Sequence, residues 1–410
     1  MEADENAVFL VQLARELHRA GVASDQLERT IVPIAQTLGL QVEIFALPTN
    51  ITIAIGPQYE QHIIMLRLSP GRPNLRKLAL LNEIFDELQS RRTTLARAIA
   101  QLRDIDRICP PPPAASWIVA LGCIAVGVAI LLGGGKSELI VAALIGLATG
   151  VLSYFTTRNP VMNRLYEVFA AFCATMIVAV FSHYVAPVNL YVSIVAGVVV
   201  LLPGYSLTLA LHELANGDLI AGTARLGRVL VVLLALACGT FLGLALLGPN
   251  FSTAAPALAH RPFSAPYWAA AVVLLSIGLS VDLDARVRDF AWVFLASALA
   301  LGSTLFFSRL PTHNVTPFLS ALVCGLVANG GARFLRVPQP VLLVPGITVL
   351  VPGSLSYESL LSIVSSRNYD IAFAMAVNAV IAAILIVAGL LLSQLLVPAA
   401  PLRLRSAGHG

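Results

Sequence analysis

Apolar residues recur at helical spacing between positions 7 and 38: Phe9, Leu10, Leu13 and Leu17, then Leu27, Ile31, Ile34 and Leu38. This is the one-faced pattern of two amphipathic helices. Gly21 is placed to end the first, and Ser24 or Asp25 to cap the second. The pattern then turns to β type. "VEIF" at 42–45 and "ITIAI" at 51–55 read as strands turning at Pro48-Thr49-Asn50, with "HIIMLRL" as a third. Two further amphipathic helices are predicted from about 74 to 108. From residue 116 the polar face disappears, and ten apolar runs follow at 116–133, 138–156, 165–186, 189–211, 219–247, 266–281, 288–308, 315–332, 338–352 and 370–397. A bilayer core of roughly 30 Å needs about 20 such residues in a helix. The pattern therefore predicts a mainly α membrane protein with ten transmembrane helices behind a small soluble α+β domain.

Charge sharpens the boundary. Residues 1–112 hold 12 Lys/Arg and 13 Asp/Glu, against 14 and 9 in the remaining 298. Between the two parts "CPPPP" makes a stiff extended spacer, followed by Trp117 at the depth of an interfacial anchor. The expected units are a domain at 1–108, a linker at 109–115, membrane halves at 116–252 and 253–402, and a tail at 403–410. Arg91, Arg92, Arg97, Arg103 and Arg107 precede the first run, which puts the front domain in the cytoplasm by the positive-inside rule. Alternation from there leaves ten basic residues in cytoplasmic loops and four outside. It also puts the C-terminus in the cytoplasm. The net charge of +4 is too small and too scattered for a nucleic-acid surface. The acidic N-terminus lacks the basic and apolar regions of a signal peptide.

The polar interruptions carry the chemistry. "LLPGYSLTLALHELANGDLIAG" and "LVPGSLSYESLLSIVSSRNYDIAF" share one plan: Pro-Gly, a semi-polar helix, then an Asp heading a long apolar helix. Pro203-Gly204 answers Pro352-Gly353, and Asp218 answers Asp370. Each falls between the fourth and fifth runs of its half. Five spans is an odd number, so the second copy enters from the opposite side. This predicts two inverted five-helix repeats with helix breaks at matched places. Pro345-Gly346 is a third expected break. Pro and Gly free backbone groups for a ligand, although the same pairs also serve as simple kinks in packed membrane helices.

In the first copy His212 and Asn216 share a helical face with Glu213 beside it, and Gly217 ends the helix. Asp218, Gly222 and Arg225 then fall on one face, with Gly222 leaving room beside the acid. These residues, with Glu358, Asp370 and Asn378 in the second half, are the candidate substrate and proton pathway. Plainer accounts exist: Asp218 and Asp370 as helix caps, Arg225 and Arg228 as topology anchors, and His212 as a solvated surface residue. Asn378 lies too deep for a cap and Asn329 near the end of the eighth run, and each lines either a helix contact or a polar path. Asp282, Asp284, Arg286 and Arg288 read as an ordinary loop. "HELAN" lacks the second His of a zinc protease. Five separated Cys without CxxC spacing suggest neither a metal site nor a disulfide framework. No cofactor and no enzyme activity is indicated.

Three stretches together resemble the bacterial threonine/serine exporters: "LARELHRAGVASDQLERTIVPIAQTLGL" with "VEIFALPTNITIAI", then "PGYSLTLALHELANGDLIAGTARL", then "LLVPGITVLVPGSLSYESL". The resemblance implies a ten-span inner-membrane carrier, with both halves fused in one chain, exporting threonine or serine on the proton gradient. Its expected partners are those amino acids, protons and the bilayer; self-association is left open. The competing readings are a carrier for another small polar metabolite, and a channel or receptor whose soluble domain senses a signal. A channel wants rings of one charge along its pore, which so few buried charges do not offer.

Overall fold

The computed structural model describes residues 5–247, 265–311, 315–335, 337–350, 357, 361 and 369–398. Pro352, Gly353 and Glu358 lie outside them. The chain opens with α1 (Glu5–Arg19) and α2 (Ser24–Thr37), then a meander of β1 (Val42–Leu47), β2 (Asn50–Ile55) and β3 (His62–Arg67), then α3 (Leu75–Gln89), α4 (Leu95–Arg103) and a short α5 (Ile105–Ile108). The strands pair antiparallel in the order β1-β2-β3, with Ile44 opposite Ile53 and Ile53 opposite Ile64. Ile51 and Ile53 point at the helices and are fully buried with Phe9, Leu13, Leu27, Ile31 and Ile84. Each such side chain contributes about 1.5–3 kcal/mol of burial, so the front unit has a core of its own.

The rest is helical. The elements are α6 (Ala114–Leu131), α7 (Lys136–Thr156), a short α8 (Pro160–Arg164), α9 (Tyr166–Tyr184), α10 (Leu190–Val198), α11 (Gly204–Ala215), α12 (Leu219–Leu247), α13 (Ala265–Asp282), α14 (Phe290–Phe307), α15 (Thr316–Gly330), α16 (Gln339–Leu350) and α17 (Tyr369–Leu396). Among the described residues seven helices are long and apolar enough to cross a membrane, or eight if the bent pair α10–α11 is one span. Two of the ten expected runs fall short: residues 266–282 and α16 are apolar but shorter helices. At about 1.5 Å per residue, the 12 residues of α16 reach only about 18 Å.

The fourth run does not continue through its Pro-Gly pair. A 3₁₀ turn at Val199–Leu201 follows α10, and α11 leaves it at 58°. Pro203 heads α11 from outside the helix, with its φ at −80° and ψ at 41°. Pro345-Gly346, expected to break a helix in the same way, does not: α16 runs straight through it. Both residues are buried, and Gly346 faces Cys324 of α15 and the Ala296 carbonyl of α14. Close neighbours hold the backbone where the proline removes one hydrogen bond.

The two halves interlock. Tyr205, next to the first Pro-Gly, packs against the buried cluster of Ala321, Ile347, Ile386 and Leu390 in the second half. Tyr357, four residues past the second Pro-Gly, is fully buried in the core of the first half, and its hydroxyl lies 2.6 Å from that of Thr240 on α12.

Candidate functional site

Gly217 has a φ of +91°, a left-handed conformation that glycine adopts without cost. It ends α11 sharply, so the polar residues on either side of the turn converge. Glu213 is completely buried. The Arg225 guanidinium grips it with two hydrogen bonds, from Nε to Oε2 at 2.9 Å and from Nη2 to Oε1 at 2.8 Å. Such a forked, charge-assisted pair is the strong form of ion pair. Arg225 therefore answers Glu213 rather than Asp218.

The remaining partners come from the front domain. The Ser24 backbone N–H donates to Glu213 Oε1 at 3.2 Å. Asn216 Nδ2 donates to Asp25 Oδ2 at 2.9 Å, and His212 Nε2 lies 3.7 Å from the same oxygen. Arg29, one turn along α2, comes within 3.9 Å of it. Ser24 and Asp25 thus do not cap α2, whose N-cap position is Ala23 without any side-chain bond. They are turned toward the membrane helices instead. Asp218 stands at the head of α12, half-buried. Burial, reinforced by the Asp25 and Glu213 carboxylates and opposed by Arg29 and His212, raises its pKa above the ordinary aspartate value.

Gly222 has a different role from the one expected. A Cβ there would stand 2.6 Å from the Leu214 side chain and 2.9 Å from the Ala210 carbonyl, so the missing side chain lets α11 and α12 touch. Asn378 is exposed on α17 rather than buried in a helix contact. Asp370 lies exposed in the first turn of α17. Asn329 is fully buried. It accepts from Gln339 Nε2 at 2.7 Å and donates to Ser393 Oγ at 3.5 Å, tying α15, α16 and α17 together.

A second seam fastens the other side of the front domain. Leu75 N–H donates to the Leu283 carbonyl at 2.9 Å and Arg76 N–H to that of Asp284 at 3.0 Å. The Asp284 carboxylate takes Asn74 Nδ2 at 3.0 Å and pairs with Arg76 at 3.2 Å. Arg286 and Arg288 both hold Glu83. The segment expected to be an ordinary loop is a docking clasp.

Between these seams the front domain roofs a cavity of about 970 Å³. Its roof comes from α1, α2 and α3. Its floor comes from α11, the start of α16 and the ends of α15 and α17, including Thr208, His212, Asn329, Gln339 and Ser393. Neither Thr208 nor the front-domain groups stood out in the sequence. Thr208 and His212 at i and i+4 were a readable pair, but only the folded chain brings Asp25 to them.

Comparison with known proteins now decides the family. A profile described as "Putative threonine/serine exporter" matches residues 8–247, and one described as "Threonine/Serine exporter, ThrE" matches residues 268–396. The chain belongs to the threonine/serine exporter family. Both of the family's halves are fused in it, and the family is one of membrane exporters. A "Probable threonine/serine exporter" of Mycobacterium tuberculosis is 23% identical over 412 residues, 96% of this chain and 76% of the relative. "Pheromone-regulated membrane protein 10" is 24% identical to this chain in both Zygosaccharomyces rouxii and Eremothecium gossypii. Each match covers 88% of this chain, but 38% and 50% of those relatives. The chain thus spans half or less of the length of these fungal proteins. No solved structure matches it.

Proposed function

We propose that this chain is a secondary carrier that exports small hydroxy amino acids of the threonine/serine type across the bacterial inner membrane, driven by the proton gradient. The observation that carries this reading is the cavity. It is in the size range of small-molecule sites, roughly 300–1,000 Å³, and it opens onto α11 just beyond a broken span. Broken helices at matched positions are where secondary carriers of inverted-repeat design build their sites. In this reading the polar turn at Glu213–Asp218 forms the front-domain mouth, and Asp370, in the first turn of α17, marks the other.

Three placements support two inverted halves of five helices. The turn after α11, the clasp after α13 and the segment before α16 all meet the front domain. Alternation of ten spans assigns those same three connections to its side. The paired helices also run oppositely, since α12 begins at the front domain whereas α17 ends there, with Ser393 and Gln394 in the cavity wall. Tyr205 and Tyr357, each just past its own Pro-Gly pair, reach into the opposite half. The arginine-rich stretch before α6 supports a cytoplasmic front domain by the positive-inside rule.

Purified protein in proteoliposomes, loaded with unlabelled serine or threonine, is expected to accumulate the labelled amino acid by counterflow. An imposed proton gradient should drive net movement of the same substrate. No uptake from a panel of small amino acids, by protein with an intact melting transition, would sink this reading. For topology, single cysteines placed in a Cys-free background at 158–164 and at 309–311 are expected to react from opposite sides. Labelling of both loops by an impermeant thiol reagent in whole cells would refute the inverted plan.

A further inference from the structure

The two seams that hold the front domain are built from different chemistry. The one between α3 and α13 is apolar at heart and bonded through the main chain. Leu75 is fully buried in one cluster with Val272, Leu275 and Leu279 of α13, and Leu78 packs against both that cluster and the front-domain core. The Leu75 and Arg76 N–H groups donate across the seam. Its charges oppose in sign, with Arg76 on Asp284 and Glu83 on Arg286 and Arg288. Cys109, which begins the proline linker, lies close enough to Arg76, Asp284 and Arg286 to interact with each, so the covalent tether enters at this same edge.

The seam between α2 and α11 has no such anchor. The front-domain cluster contains no residue beyond Ile105, and that of the first membrane half none before Leu132. No shared apolar core therefore closes it among the described residues. The hydrogen bonds across it run from the Ser24 N–H to Glu213 and from Asn216 to Asp25, and such bonds exchange for water at small net cost. Glu213 keeps its Arg225 fork when Ser24 withdraws. Charge also works against closure. Asp25, Glu28 and Arg29 lie on the front-domain side, and Glu213, Asp218 and Arg225 on the membrane side. With the histidines neutral, two acids and one arginine on each side leave a net charge of −1 facing −1. The Asp218 carboxylate repels both Glu28 and Asp25 across the boundary, and such repulsion is strong at a partly desolvated edge.

We propose that the α3–α13 seam is a hinge and the α2–α11 seam a releasable latch, so that the front domain rocks about Leu75–Arg76 and frees α11 during transport. α2 forms part of the cavity roof and α11 part of its floor, and the latch is what ties the two together. Its release widens the cavity along that edge, while the hinge keeps the roof attached. The pivot falls at the start of α3 and just past the end of α13, and element ends are where hinge motions concentrate. This gate rests on the carrier reading above and adds the moving part on its front-domain side.

The test bridges each seam in a Cys-free background with a short bis-methanethiosulfonate reagent. One pair is Asp25→Cys with Asn216→Cys at the latch, and the other is Asn74→Cys with Asp284→Cys at the hinge. Bridging the latch is expected to cut serine counterflow about tenfold or more, as blocking an obligatory gating step does, and reductant should restore it. Bridging the hinge should change the rate by less than about twofold. A second readout leaves both seams native, needs no transport, and carries the test should a paired variant fold poorly. Spin labels at exposed Gln26 of α2 and Thr223 of α12 are expected to give two distances by pulsed electron resonance. Labels at exposed Glu87 and Val287, across the hinge, should give one. A single latch distance, or a latch-bridged protein that keeps more than about half of its unbridged rate, would overturn the gate while leaving the carrier reading standing. Two latch distances in protein that carries no amino acid would retain the latch and overturn the carrier reading.

Discussion

Arg225→Ala is expected to remove most folded protein from the membrane. Glu213 is completely buried, and its two oxygens depend on the Arg225 fork and the Ser24 N–H. Removing the guanidinium strands a carboxylate without its counter-charge, which costs about 3–5 kcal/mol. That is a large share of the roughly 5–15 kcal/mol that holds a typical fold. An exposed ion pair would contribute about 1 kcal/mol at most, so the size of the loss discriminates the two situations. Arg225→Lys should recover little, because a lysine is a point charge and cannot donate along two parallel directions. Glu213→Gln together with Arg225→Met removes both charges and should recover most of the loss. Thermal unfolding in detergent, followed by the elution of monodisperse protein, measures each. A single variant that melts within a degree or two of wild type would mean that water reaches this pair.

How the sequence prepared for this site depends on the range of the interactions. Helices and strands of the front domain came from periodicity, since Leu27, Ile31 and Ile34 record their burial in their spacing. The bend at Pro203-Gly204 was equally local. Contacts between distant segments left no such record. Asp25 looks like a helix cap because acids are common in first turns, and only its folded neighbours Asn216 and His212 turn it aside. Asp284 and Arg286 resemble any polar loop until α3 is laid against them. Pro345 misled for the opposite reason: proline disrupts a helix in isolation, but dense packing around Ala296 and Cys324 holds α16 together. Asn378 shows that depth along a helix does not fix burial, since the residue is exposed. The Arg225 interaction was missed by choosing a partner on its own helix face, when the turn at Gly217 brought Glu213 closer.

Asp218→Asn is expected to abolish gradient-driven export while leaving folding and exchange intact. Asp218 heads α12, and Asn occupies such a position about as well as Asp, so a purely structural acid would be replaced at little cost. Its surroundings argue for more. Burial, with Asp25 and Glu213 nearby, raises its pKa, and a carboxyl that protonates more readily can exchange a proton in each transport cycle. The same shift fixes a second, independent outcome. An acid whose folded pKa lies above its unfolded value of 3.8 stabilises the fold at low pH, and that contribution is lost as pH rises through the folded pKa. At neutral pH the ionised group therefore works against folding. Asn resembles the protonated form, so the variant should melt no lower than wild type at pH 7, with any advantage fading in acid. Asp370 is exposed at the far end of α17, about 30–36 Å by helix rise from the residues of that helix that line the cavity. Asp370→Asn is therefore expected to have the smaller effect. Proteoliposomes assayed for exchange and for proton-driven flux at matched internal and external serine separate the two functions. Unchanged gradient-driven export by Asp218→Asn would reduce this acid to a helix cap, and the proton site would have to be sought elsewhere in the carrier.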